Sequence, residues 1–220
     1  MSSPKPKTRN PEPSKLRVAI LISGRGSNMH ALLRGCAGEI PDIEIDQAKI
    51  ALVLSNIADA PGLEIAKQYK VKTEILPHKG YKDRREYDAK ITEILRANKI
   101  DLVCLAGFMR LLSAEFCETW KNKLINIHPS LLPNHKGLDT HKRALAAGDA
   151  HHGCTVHFVT AEMDEGPIIL QQSVPVLPDD DEQTLAARVL AAEHRCYPMA
   201  LKLLSEGRIQ MTGNKVVVNS

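Results

Sequence analysis

Residues 17–23, Arg-Val-Ala-Ile-Leu-Ile-Ser, make an apolar run rich in β-branched side chains, and Gly24-Arg25-Gly26 ends it abruptly. A continuous run of this kind, without polar alternation, suits a strand buried on both faces, as in a parallel sheet. Beyond the glycines, Met29, Leu32, Leu33 and Cys36 recur at the i, i+3, i+4, i+7 spacing of one helix face, and Ser27 or Asn28 stands where an N-cap belongs. A buried strand, a glycine turn and an amphipathic helix predict the opening of a βα unit.

The alternation recurs downstream. Residues 50–55 read as a strand, 61–69 as a helix opened by Pro61, and 71–76 as a further strand. Asp83 with Glu86 resembles a capping box, ahead of a stripe formed by Tyr87, Ile91, Ile94 and Leu95. Residues 101–106 and 124–128 read as buried strands around a short helix over 113–120. Strands alternating with helices predict an α/β fold with a mainly parallel sheet. Past residue 150 the pattern changes. Strands at 154–160 and 167–176 lack an intervening helix, which predicts an antiparallel addition to the sheet. Residues 182–204 read as a long helix, with Pro198 predicting a kink or break. Residues 208–212 and 215–219 flank Gly213-Asn214, a two-residue hairpin signal. Residues 1–15, rich in proline and lysine, read as a disordered tail.

Composition narrows the function classes. A net charge of +3 is too small a surplus for a nucleic-acid surface, though a small anionic ligand fits it. No apolar run approaches the ~20 residues that cross a bilayer, and the amino terminus carries charge without an apolar core behind it. Cys36, Cys104, Cys117, Cys154 and Cys196 are odd in number and widely spaced, unlike a disulfide framework or a zinc site. They read as reduced, small apolar residues of a cytoplasmic protein.

Three places carry side chains or backbone suited to chemistry. The 24–28 turn joins a strand to a helix, where free amides and the helix dipole hold anions, usually phosphate. By its residues alone it is either such a site or merely a tight turn. It is not a dinucleotide fingerprint, because Met29 stands at the third glycine position, and no Gly-Lys-Ser/Thr makes it a P-loop. Second, Asn126 and His128 lie two apart on a strand and so share a face, near the strand end where open α/β sheets place ligands. Such a pair suits donors aimed at a developing oxyanion, or else a histidine satisfied within the core. Third, Asp164 lies in the loop Met163-Asp164-Glu165-Gly166-Pro167. A carboxylate beside a histidine favours the imidazolium, but turns are rich in aspartate anyway, and spacing alone does not bring Asp164 to His128. His151, His152 and His157 read as solvated loop and strand histidines rather than metal ligands, and no metal site is expected. Asp179, Asp180, Asp181 and Glu182 read as an acidic helix start.

Taken together, SGRGSN (23–28), LAGFMRLL (105–112), NIHPSLLP (126–133), GLDTHKRAL (137–145), GCTVHFVT (153–160), MDEGPII (163–169) and EHRCYP (193–198) resemble the phosphoribosylglycinamide formyltransferases, a folate-dependent family of purine synthesis. The resemblance runs from about residue 17 to 207. It implies a single formyltransferase domain over 16–207 with a Rossmann-like sheet; the hairpin read from the Gly213-Asn214 signal is expected over 208–220, packed on that domain. It further implies that Gly26, Ser27 and Asn28 hold the phosphate of glycinamide ribonucleotide (GAR), and that Glu193 holds its ribose. Arg84, Met109, Arg110, Leu111 and Leu112, with Thr160, Ala161, Glu162, Met163 and Asp164, match the segments lining the 10-formyltetrahydrofolate pocket, to which Asn126 also contributes. Asn126, His128 and Asp164 match the family's catalytic trio. Asp139, in GLDTH, stands where relatives often carry histidine, and Leu190 where some carry glutamine.

The implied chemistry is formyl transfer to the GAR amine, with the two substrates as its small-molecule partners and no metal, nucleic acid or membrane. A monomer or weak homodimer is expected. Two other enzymes of the wider group share the trio. Methionyl-tRNA formyltransferase would need a further basic domain, and formyltetrahydrofolate hydrolase an N-terminal regulatory domain ahead of the first strand. A non-catalytic nucleotide-binding module would need only the 24–28 turn.

Overall fold

In β1 (Leu16–Ile22) every side chain from Val18 to Ile22 is fully buried. Val18, Ile20 and Ile22 enter one apolar cluster, and Ala19 and Leu21 enter another. The strand therefore sits inside a sheet covered on both faces, as its unbroken apolar run requires. The computed structural model describes residues 14–213 and 215–219. Most of the 1–15 tail, and Asn214 of the hairpin turn, lie outside the described residues.

The chain continues through α1 (Ser27–Cys36), β2 (Ala48–Ser55), α2 (Gly62–Gln68) and β3 (Thr73–Ile75). Next come α3 (Arg84–Ala97), β4 (Leu102–Leu105), α4 (Ala114–Thr119), β5 (Leu124–His128) and α5 (Thr140–Ala147). β6 (His151–Phe158), β7 (Ile168–Pro175), α6 (Glu182–Ser205), β8 (Ile209–Thr212) and β9 (Lys215–Val218) complete it. One sheet holds seven strands in the order β3-β2-β1-β4-β5-β6-β7, parallel from β3 to β5 and antiparallel beyond. Strand order reverses between β1 and β4, so the carboxyl ends of these two strands frame the crevice where such sheets take ligands. The larger cluster packs α1, α2 and α6 on one face, and α3 and α4 cover the other. β8 and β9 pair antiparallel, with Ile209, Met211 and Val216 against the larger cluster. All five cysteines are free. No helix among the described residues is long and apolar enough to cross a membrane.

Three details depart from the sequence reading. The first helix is not capped by Ser27 or Asn28, which lie inside it; its N-cap is Gly26 at φ 72°, and no side chain bonds its first amides. The left-handed conformation there suits glycine, which carries no Cβ to oppose it. Pro198 does not break α6, which runs unbroken over 24 residues. Pro198 is itself buried, packed towards Gly35 of α1, so tertiary packing outweighs the one intrahelical bond proline removes. Third, α5 follows the Pro-bounded loop, where the sequence reading placed no helix; Asp139 occupies its N-cap at φ 55° without a cap bond.

Candidate active site

A cleft of about 360 Å³ opens at the β1/β4 reversal, lined by residues 23–28 and by Ala106, Gly107 and Met109. Its floor is knitted by short bonds. Ser23 N donates to the Gly107 carbonyl at 3.1 Å, and Met109 N donates to Ser23 Oγ at 2.8 Å. That hydroxyl in turn donates to Asn56 Oδ1 at 2.6 Å. The cleft thus shows the first-turn amides of α1, uncapped by any side chain, at the positive end of the helix dipole. The exposed Arg25 lines the same cleft.

Asn28 connects this turn to α6. Its Nδ2 donates to Glu193 Oε2 at 2.7 Å, while its buried Oδ1 has no hydrogen-bond partner among the described residues. Glu193 is 6% exposed, and burial pushes its carboxyl above the ordinary 4.5, with the Asn28 bond pulling the other way. A raised carboxyl adds its full stability below pH 4.5 and loses it as pH rises through the elevated value. Thermal unfolding of Glu193→Gln, which never ionises and still accepts from Asn28, is therefore expected to gain on wild type steadily as pH rises from 4.5. A melting difference independent of pH from 4 to 8 would contradict this.

The second group lies one strand beyond β4. In register Leu105 faces Asn126, and Leu21 faces Leu105, so Asn126 stands two strand spacings, about 10 Å, from β1. His128, at the end of β5, is 5% exposed. Its Nδ1 is 3.4 Å from Asp164 Oδ2, and its Nε2 is 3.0 Å from the His135 carbonyl. Both neighbours are acceptors: the His135 carbonyl bonds the ring at Nε2, and the Asp164 carboxylate stands within ion-pair range of Nδ1. The loop that spacing could not place is thus brought to His128. Asp164 has φ 54°, a left-handed conformation that aspartate tolerates better than most residues, and Gly137 N donates to its Oδ2 at 2.9 Å. A side chain at Gly166 would collide with the Phe158 carbonyl, so the chain folds back tightly into β7.

The residues after His128 are held by Thr155. Its hydroxyl donates to the Ser130 carbonyl at 2.6 Å and accepts from Leu132 N at 3.0 Å. The Leu132–Pro133 peptide is cis. Lys136 pairs with Glu165 at 2.7 Å, tying this loop to the Asp164 loop. His135 pairs with Asp149 at 2.6 Å.

Around these groups lie exposed apolar side chains. Met109, Leu111, Leu138 and Met163 are each more than half exposed. Arg110 holds its guanidinium 5.9 Å above the Tyr87 ring, and Arg84 is exposed at the start of α3. Thr160, Ala161 and Glu162 are exposed on the loop leading to Asp164, and Leu112 is half-buried. Ser27 is half-buried and Gly26 buried in the turn.

The histidines of β6 are not solvated as the sequence suggested. His152 is 1% and His157 2% exposed, and only His151 faces water. Every residue of β6 from His152 to Phe158 is buried, and since side chains alternate between the faces, both faces of this strand are covered. Burial pushes His152 down to about 4, against the edges of His135 and His141. His157 meets Asn126 and Asp164 directly, a neighbour of the trio that strand spacing alone did not reveal. Ser23 and Asn56 were likewise missed. Among the described residues no group of three or more His, Cys, Asp or Glu is arranged to hold a metal ion.

Residues 16–201 match the model of a family described as formyl transferase. The chain is 48% identical over 191 residues to the trifunctional purine biosynthetic protein adenosine-3 of Drosophila melanogaster; the match covers 87% of this chain but 14% of that longer relative. It is 42% identical over 200 residues to phosphoribosylglycinamide formyltransferase of Escherichia coli, covering 90% of this chain and 92% of that one. The crystal structure of glycinamide ribonucleotide transformylase 1 from Symbiobacterium toebii superposes with a TM-score of 0.88 at 45% identity, covering 94% of this chain and 95% of that one. A cleft at the strand-order reversal, an Asn/His/Asp group on the neighbouring strands with its histidine buried, and near full-length likeness converge: the chain belongs to the formyl transferase family, in the branch of the phosphoribosylglycinamide formyltransferases.

Proposed function

We propose that this chain transfers the formyl group of 10-formyltetrahydrofolate to the amine of GAR, giving formyl-GAR and tetrahydrofolate, a step of purine synthesis. The observation that carries the reading is the buried His128–Asp164 pair, 3.4 Å apart, with Asn126 on the same strand and an uncapped helix start two strands away. The amides of Gly26, Ser27 and Asn28 receive the ribonucleotide phosphate. Glu193 accepts from the ribose, and the unpartnered Asn28 Oδ1 offers a second acceptor beside it. The exposed Met109, Leu111 and Met163 give a flat folate ring an apolar wall, with backbone of 109–112 and 160–164 along its edge. Arg84 and Arg110 supply cations for its carboxylates.

The substrate amine attacks the formyl carbon, and the carbonyl electron pair moves onto oxygen. Asn126 Nδ2 donates to that oxygen. His128 donates from Nε2, which the His135 carbonyl yields as the substrates enter. Each such donor is typically worth about 3 kcal/mol of barrier. Asp164 accepts from the other ring nitrogen, keeping the imidazole oriented and charged. The bond from the formyl carbon to the folate nitrogen then breaks, and the proton lost by the amine reaches that nitrogen through water. The enzyme forms no covalent bond.

The test follows tetrahydrofolate release from 10-formyltetrahydrofolate by the purified chain, with and without GAR. Release that requires GAR is the expected result. Release without GAR would indicate a hydrolase, and absence of release in both cases would reduce the site to a binding module.

A further inference from the structure

His157 is used by nothing in the mechanism above, yet it lies among its working groups. It pairs directly across from Asn126 in the β5–β6 register and is 2% exposed. Its Nδ1 is 2.8 Å from the Phe158 carbonyl, an atom that only accepts, so Nδ1 carries a proton. Its Nε2 is 3.4 Å from Asn126 Nδ2 and 3.7 Å from Asp164 Oδ1. Burial in the sheet disfavours the charged form of this ring and pushes its pKa down, with Asp164 pulling the other way. The neutral ring therefore presents a lone pair at Nε2.

We propose that His157 is a positioning residue, whose Nε2 lone pair accepts one hydrogen of the Asn126 amide and so fixes which end of that amide faces the reacting formyl oxygen. Turned the other way, Asn126 would set its Oδ1 against the same lone pair, acceptor against acceptor. With the amide fixed, Nδ2 keeps its second hydrogen for the oxyanion. A neutral His157 also places no second cation on Asp164, whose Oδ2 faces His128. The inference rests on the proposed role of Asn126 as an oxyanion donor.

The experiment compares steady-state kinetics of wild type, Asn126→Ala, His157→Leu, His157→Gln and the double variant Asn126→Ala/His157→Leu. His157→Leu is expected to lower kcat about 10- to 100-fold, up to the loss of one oxyanion donor, with each KM within about threefold. His157→Gln, which presents an amide oxygen near the Nε2 position, is expected to recover at least about tenfold over leucine, as restored positioning requires. The double variant is expected to be no slower than Asn126→Ala, because the two act as one unit. If leucine unfolds the chain, His157→Asn takes its place; it reaches only the Nδ1 side and is expected to be as slow. Near-normal kcat in His157→Leu or His157→Asn, no recovery in His157→Gln, or a double variant clearly slower than Asn126→Ala overturns the positioning role while Asn126 keeps its assignment. Near-normal kcat in Asn126→Ala overturns that assignment and this proposal with it.

Discussion

His128→Ala is expected to lower formyl-transfer turnover by at least about 100-fold, or about 2.7 kcal/mol of barrier, with little change in the KM for GAR. The side chain is 5% exposed and lies against acceptors through both ring nitrogens, so alanine removes the proposed donor and the partner of Asp164 together. None of these contacts is made to the 24–28 turn, the proposed phosphate site, which is why binding of the ribonucleotide is expected to survive. Asp164→Asn tests the same pair from the other side. It keeps the shape, and its amide oxygen can still accept from Gly137 N, but it removes the negative charge facing Nδ1. Its turnover is expected to fall by a similar factor, because a donor no longer charge-assisted stabilises an oxyanion less. Single-turnover formyl transfer separates this loss from slow product release. Near-normal turnover in either variant would remove that residue from the chemistry.

The largest effect on stability is expected at Tyr197. This side chain is completely buried in α6, and its hydroxyl donates towards the carbonyls of Leu105 at 3.0 Å and Ile125 at 3.3 Å. The first of these carbonyls closes β4 and the second precedes Asn126 in β5, so one residue of the long helix ties together the two strands on which the candidate site is built. Tyr197→Ala is expected to cost about 3–5 kcal/mol, a large share of the 5–15 typical of a whole domain. Tyr197→Phe separates the contributions: it keeps the ring but strips the donor from buried carbonyls, and is expected to cost about 1–3 kcal/mol. Urea unfolding of both variants gives the comparison. Equal losses would mean that the hydroxyl rather than the ring dominates.

The fold was legible because its strands are buried on both faces. Runs such as 17–23 and 124–128 announce themselves without register or partners, and β5 begins and ends where the sequence placed that strand. What stayed hidden depends on which strands meet. His157 reads as an ordinary polar residue of a strand until β6 is known to lie beside β5, directly opposite Asn126. The Asp164–His128 contact joins residues 36 apart through a loop whose left-handed aspartate no pattern predicts. α5 escaped because it starts on a left-handed Asp139 that makes no cap bond. Pro198 misled because local propensity says nothing of the packing around it. The trio itself was recognised through motif likeness, and spacing alone left each member open to a structural explanation.

The bare start of α1 carries a consequence for the protein's economy of folding. A side-chain cap there would typically add roughly a few tenths of a kcal/mol over glycine, and Gly26 forgoes it. The first-turn amides have no side-chain partner, so in the free protein they bond to water, and the proposed phosphate would take its place. Binding there would make stability and occupancy one linked quantity, with the unliganded chain the form expected to be most exposed to unfolding and turnover.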